Sequence, residues 1–95
     1  VILTTGGTGL GPRDCTPEAT KKVLDLEVPG ISEAMRLKTR KNADTSILSR
    51  GVAGLRGGCL IINLPGSPKA VSECLNSVIS VISHAVEMSS GRTGH

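Results

Sequence analysis

Residues 4–14 read TTGGTGLGPRD, placing four glycines, a proline, an arginine and an aspartate in eleven positions directly after the apolar run Val1-Ile2-Leu3. These residue types suit chemistry on an anion or a polar ring. Glycines let backbone N–H groups approach a ligand closely, Thr8 adds a hydroxyl and Arg13 adds a charged, forked donor. Asp14 is the acid of the set, two residues ahead of Thr16. Two roles are open to it: a carboxylate favouring the positive end of the following helix, or a metal-holding or proton-handling group at a pocket mouth. Neither of two nucleotide fingerprints is met. In G-x-G-x-x-G terms Gly7 and Gly9 fit but Pro12 takes the third glycine's place; in P-loop terms Gly6 and Gly11 are correctly spaced, yet Pro12-Arg13 stands where lysine and a hydroxyl are needed. A ligand cradle and a plain tight turn both remain open for this stretch.

The elements that must position these residues follow from pattern. Val1 to Thr5 is a short β-branched run of the kind buried on both faces of a sheet. A strand opening at Val1 also suggests that upstream sequence precedes it. Thr16-Pro17-Glu18 gives an N-cap hydroxyl, a proline at the first helical position and an acid in the first turn, predicting a helix from Pro17 to about Glu27 with Val23, Leu24 and Leu26 on one face. Pro29-Gly30 breaks it. A second helix is predicted from about Ile31 to Lys41, with Ile31, Ala34, Met35 and Leu37 on its apolar side and a basic end, Arg36 to Lys41, that reads as a solvated terminus or a phosphate patch. After a polar, weakly helical stretch, two strands are predicted at about Arg50–Leu55 and Cys59–Leu64, joined by a hairpin turn at Arg56-Gly57-Gly58. The second strand runs into Pro65-Gly66-Ser67-Pro68, where Ser67 caps a long helix striped by Val71, Cys74, Leu75, Val78, Ile79, Ile82, Ala85 and Val86.

One arrangement thus occurs twice: apolar strand, glycine-and-proline loop, helix opened by hydroxyl and proline. In open α/β sheets ligands settle outside the carboxyl ends of strands, where free N–H groups point at anions. Two such ends side by side would form one pocket.

The chain of 95 residues has room for a single small domain. It contains no Phe, Tyr or Trp, so aromatic platforms for single-stranded nucleic acid are absent, and a net charge of +3 suits a small anionic partner better than a polynucleotide. Cys15, Cys59 and Cys74 are odd in number and lack C-x-x-C spacing, which argues against a disulfide framework or a zinc site and for a reducing, cytoplasmic setting; no membrane-spanning segment is legible. Cys15 and Cys74 read as packing residues, and His84 as structural or surface rather than catalytic.

With these residues laid out, the sequence resembles the molybdenum cofactor biosynthesis domain, specifically the molybdopterin adenylyltransferase and gephyrin G-domain branch. The resemblance rests on Thr4 to Gly9, Pro12-Arg13-Asp14, Thr16 to Thr20, Leu48-Ser49-Arg50, Val52-Ala53-Gly54, Arg56-Gly57 and Leu60 to Ser67. It implies an α/β fold: a three-layer, open, mostly parallel sheet with helices on both faces and a short antiparallel hairpin. It implies that residues 1–88 are the C-terminal part of one molybdopterin-binding domain, followed by a flexible tail at 89–95. The family's domains begin upstream, with a strand and helix carrying a Ser-Asp motif and a second important aspartate that this sequence does not contain.

The implied reaction is transfer of AMP from Mg²⁺-ATP to molybdopterin, giving adenylylated molybdopterin and pyrophosphate. Such transfer depends mainly on positioning and charge neutralisation. By the same resemblance Asp14 is an essential catalytic carboxylate that would help hold Mg²⁺ or align the nucleophilic phosphate. Gly6, Gly7, Thr8 and Gly9 cradle ligand, Arg13 neutralises phosphate, and Pro65, Gly66 and Ser67 line the pterin side. A homotrimer and hand-over to a molybdenum insertion protein are implied too. The alternatives are a non-catalytic pterin-binding or scaffolding module of the same fold and, more remotely, a generic nucleotide-hydrolysing relative.

Overall fold

The computed structural model describes residues 1–89, and the predicted tail beyond Ser89 lies outside the described residues. In chain order the elements are β1 (Ile2–Thr5), α1 (Thr16–Val23), β2 (Leu26–Glu27), α2 (Pro29–Thr39), a 3₁₀ turn (Asp44–Leu48), β3 (Ala53–Arg56), β4 (Cys59–Leu64) and α3 (Pro68–Ser89). Ser89, expected at the start of the tail, closes the last helix. The four strands form one sheet in the order β1-β4-β3-β2. β1 runs parallel to β4, with Ile2 opposite Ile61 and Thr5 opposite Leu64, while β3 is antiparallel to both β4 and β2. The sheet is therefore mixed rather than mostly parallel, because the return through Gly57-Gly58 is too short to cross over and must reverse the chain. Gly57 takes φ +58°, a conformation that β-carbon sterics disfavour in other residues.

The core follows from the two-residue alternation of β4. Leu60, Ile62 and Leu64 point to one face and meet Ile31 and Met35 of α2, Ala53 of β3, and Cys74 and Val78 of α3. Leu60 and Ile62 are fully buried. The stripe residues predicted on α3 all join or flank this core except Ile79, which faces solvent. On the opposite face Asn63 reaches α1: its Nδ2 donates to Thr20 Oγ1 at 3.0 Å and to Thr4 Oγ1 at 2.9 Å, and its Oδ1 accepts from Val52 N at 3.1 Å.

Several expectations are corrected. β1 is not buried on both faces; as the sheet's outer strand it leaves Val1, Ile2 and Leu3 between 42% and 57% exposed. The first helix stops at Val23 instead of Glu27. Leu24 turns extended, and the segment after it is recruited by the free side of β3, with Asp25 N donating to Leu55 O and Val28 N to Ala53 O, both at 2.8 Å. Edge pairing outweighs local helical periodicity there. That helix is preceded by Cys15 with no side-chain cap, so Thr16 is its first residue and not its N-cap. The second helix starts at Pro29 and ends at Thr39, and Leu37 lies on its exposed side. Cys15 is exposed, so only Cys74 of the two packs in the interior. No helix among the described residues is long and apolar enough to cross a membrane.

Candidate functional site

Parallel pairing of β1 with β4 brings both strand-to-helix junctions to the same end of the sheet. Gly6 N donates to Leu64 O at 3.0 Å, carrying the pairing one step past the strand. Gly6 and Gly7 then turn the chain with φ of +86° and +72°. Gly7 also admits no side chain, since a β-carbon there would fall 2.1 Å from Thr16 Oγ1. The second turn lies against the first: a β-carbon on Gly66 would sit 3.6 Å from Gly6 Cα.

The first loop is held by its own acid and by a distant base. Asp14 Oδ2 accepts from Gly11 N at 2.9 Å, and Asp14 N donates to Gly11 O at 3.1 Å. Arg50, between the 3₁₀ turn and β3, donates through Nε to Gly9 O at 2.8 Å, through one terminal nitrogen to Asp14 O and through the other to Glu18. Its backbone N–H also donates to Thr8 O at 2.9 Å. One guanidinium thus ties two points of the loop and the start of α1 to the entrance of β3. Its hydrogen bond holds the Glu18 carboxyl below its ordinary value of 4.5.

Between the two junctions opens a cavity of about 630 Å³. Gly6, Gly7, Thr8, Gly9 and Asp14 line it from the first junction, Pro65 and Gly66 from the second. Its third wall is α2, which presents Ser32, Met35, Arg36 and Thr39 at steps of three and four residues. Arg36, expected in a solvated or phosphate-binding basic end, is half-buried here, and its Nη1 donates to Ser49 O at 3.3 Å and Gly51 O at 3.1 Å. Lys38 instead crosses to α3, with Nζ donating to Ser77 O at 3.0 Å. Glu73 and Cys74 of α3 complete that side. Burial pushes the Cys74 thiol above its ordinary value, so it remains protonated at neutral pH and serves packing rather than nucleophilic chemistry.

Two residues expected at the site lie outside the cavity lining. Arg13 is exposed and takes no part in the lining. Ser67 caps α3, its Oγ accepting from Ala70 N at 3.2 Å. His84 is also outside the lining. Arg50 and Asn63 are the structural residues of the site that side-chain chemistry alone did not single out. The signal that could have found Asn63 was an amide interrupting an otherwise apolar strand.

The sequence profile described as "Probable molybdopterin binding domain" matches residues 1–84. The chain belongs to this molybdopterin-binding domain family. Among its relatives, a molybdopterin adenylyltransferase of Helicobacter pylori strain J99 is 51% identical over 88 residues, which are 93% of this chain and 50% of that protein. The molybdenum cofactor synthesis protein cinnamon of Drosophila melanogaster is 50% identical over 93% of this chain and 15% of its own length. The chain therefore spans about half, or less, of the curated relatives it matches. Among solved structures, the molybdopterin biosynthesis Mog protein from Mycobacterium ulcerans superposes with a TM-score of 0.89 at 46% identity, over 93% of this chain and 58% of that one. The molybdopterin biosynthesis enzyme MoaB of Thermus thermophilus gives 0.87 at 57% identity, over 95% and 57%. The mixed α/β architecture is thus that of the molybdopterin-binding domain family, of which these residues form a part.

Proposed function

We propose that this chain is the C-terminal part of a molybdopterin adenylyltransferase, which transfers AMP from Mg²⁺-ATP to the terminal phosphate of molybdopterin and releases pyrophosphate. The observation that carries the reading is the meeting of two glycine turns, at Gly6–Gly7 and Gly66, on one cavity large enough for a pterin. The glycine loop supplies backbone donors, and the capped start of α3 supplies further N–H groups beside the second turn. Arg50 keeps the loop in place so that little reorganisation is needed when charge develops on the phosphate.

Asp14 is the proposed catalytic acid. Oδ2 is engaged by Gly11, and no hydrogen bond to the other oxygen is formed among the described residues. That donor chemistry fits Mg²⁺, which is commonly held by one or two carboxylates together with substrate phosphates. Bound there, the ion would neutralise phosphate charge. Asp14 itself aligns the attacking phosphate against the nucleotide. Homotrimer formation and delivery of product to a molybdenum insertion protein belong to the same proposal.

The test is to incubate the full-length protein with molybdopterin and Mg²⁺-ATP and to quantify adenylylated pterin. Asp14→Asn is expected to abolish product while changing pterin affinity little; equal product from variant and parent would remove Asp14 from the mechanism. A second reading, a pterin-binding module without catalysis, draws on one observation. Among the described residues only Asp14 and Glu73 bring carboxylates to the cavity, and no group of three or more His, Cys, Asp or Glu side chains is placed to hold a metal. Pterin retention without adenylylation would favour it.

A further inference from the structure

Ser32 lies in the first turns of α2, is 3% exposed and lines the cavity. Among the described residues its Oγ is the buried side-chain polar atom without a hydrogen-bond partner. Neighbouring hydroxyls behave differently. Thr39, seven residues on along the same face, donates to Met35 O at 2.6 Å, and Ser46 donates to Arg36 O at 2.9 Å. Such bonds back to a helix carbonyl are the ordinary way for a buried hydroxyl to be satisfied. Ser32 forgoes one. A buried hydroxyl left unpaired keeps the full cost of its lost hydration, so one retained against a cavity calls for a partner from that cavity.

We propose that Ser32 is a ligand-binding residue, its hydroxyl hydrogen-bonding the uncharged polar edge of the heterocycle seated in the cavity. This rests on the pterin reading above and deepens it by assigning a recognition contact on the α2 wall. The immediate setting favours a ring edge over a phosphate. Met35 follows one turn on, the buried Cys74 lines the same cavity from α3, and a hydroxyl is a neutral donor and acceptor suited to a ring nitrogen, carbonyl or amino group. Phosphate is better served by the backbone donors of the glycine turn and the start of α3. Ser32 therefore reads which ring is bound, while the two junctions hold the charged part.

The proposal is tested with Ser32→Ala in the full-length protein, using molybdopterin as the calorimetric probe and thermal melting without ligand as the control. Loss of one neutral hydrogen bond predicts affinity about three- to tenfold weaker. The melting temperature without ligand is expected to be unchanged or slightly raised, because the variant removes an unpaired polar atom from the interior. Undiminished affinity in the variant, while the parent binds, would overturn the role of Ser32 and leave the pterin reading standing. A clear drop in the ligand-free melting temperature would also overturn it, since the hydroxyl would then be satisfied by the fold itself. Failure of the parent to bind molybdopterin would overturn both the proposed function and this contact.

Discussion

Arg50 joins more of the loop than any residue within the loop does, reaching Gly9, Asp14 and Glu18 with its side chain and Thr8 with its backbone. Arg50→Ala is therefore expected to weaken pterin binding at least tenfold while leaving the core of β4 intact, which titration calorimetry and circular dichroism together would check. Arg50→Lys should rescue little, because a single ammonium cannot reproduce the fork that spans these acceptors. Gly7→Ala is a harsher change: φ of +72° and a β-carbon 2.1 Å from Thr16 Oγ1 mean that loop or helix must shift. Unfolding in urea should show a loss of roughly 2 kcal/mol or more. The glycine loop and Asp14 were legible in the sequence because glycine and a lone acid carry their chemistry in their identity. Arg50 was not, since its partners, two backbone oxygens and the Glu18 carboxylate, lie 32 to 41 residues away in the chain. Arg13 reads as a ligand residue because it brings a charged fork to the glycine loop, yet a place in the sequence does not fix the direction of a side chain, and Arg13 lies outside the cavity lining.

Elements show where local pattern is decisive and where pairing overrides it. The run of apolar residues in α3 and the proline after Ser67 announce that helix, and Gly57-Gly58 announces the hairpin, because each signal is contained within a few residues. The end of α1 is different. Leu26 and Glu27 leave the helical pattern for an antiparallel pairing with Leu55 and Gly54, a partner no local window contains. Asn63 is the joint between elements, bonding to Thr4 of β1, Thr20 of α1 and Val52 beside β3 from a position only 1% exposed. Asn63→Ala leaves the Val52 N–H without its side-chain acceptor and should lower stability by about 2–4 kcal/mol, measured by urea unfolding. The link between α1 and the loop is pH-dependent in a defined direction. Glu18 titrates below its ordinary 4.5 in the folded chain because Arg50 donates to it, so its contribution is fully present above the ordinary value and is lost as pH falls through the folded-state value. The stability difference between parent and Glu18→Gln should accordingly vanish on acidification, and be small throughout because the pair is exposed.

Across the whole molecule, one buried face of the sheet carries α2 and α3, and the opposite face is tied to α1 through an amide. Exposure orders the thiols: alkylation should modify Cys15 well before Cys74, which is buried and whose thiol is raised above its ordinary value. Peptide mapping over time would establish the order, and simultaneous modification would mean that the α3 face opens readily. The doubled strand, loop and helix motif was readable from the sequence, whereas the contact between the two copies was not. Strand order is decided by long-range pairing, here β1 with β4. In the proposed function both junctions grip one phosphorylated heterocycle. The most direct test is amide chemical-shift mapping during titration with molybdopterin. Shifts concentrated together at Gly6 to Gly9 and at Gly66, Ser67 and Ala70 are predicted; shifts at one junction alone, or scattered elsewhere with both junctions silent, would contradict it.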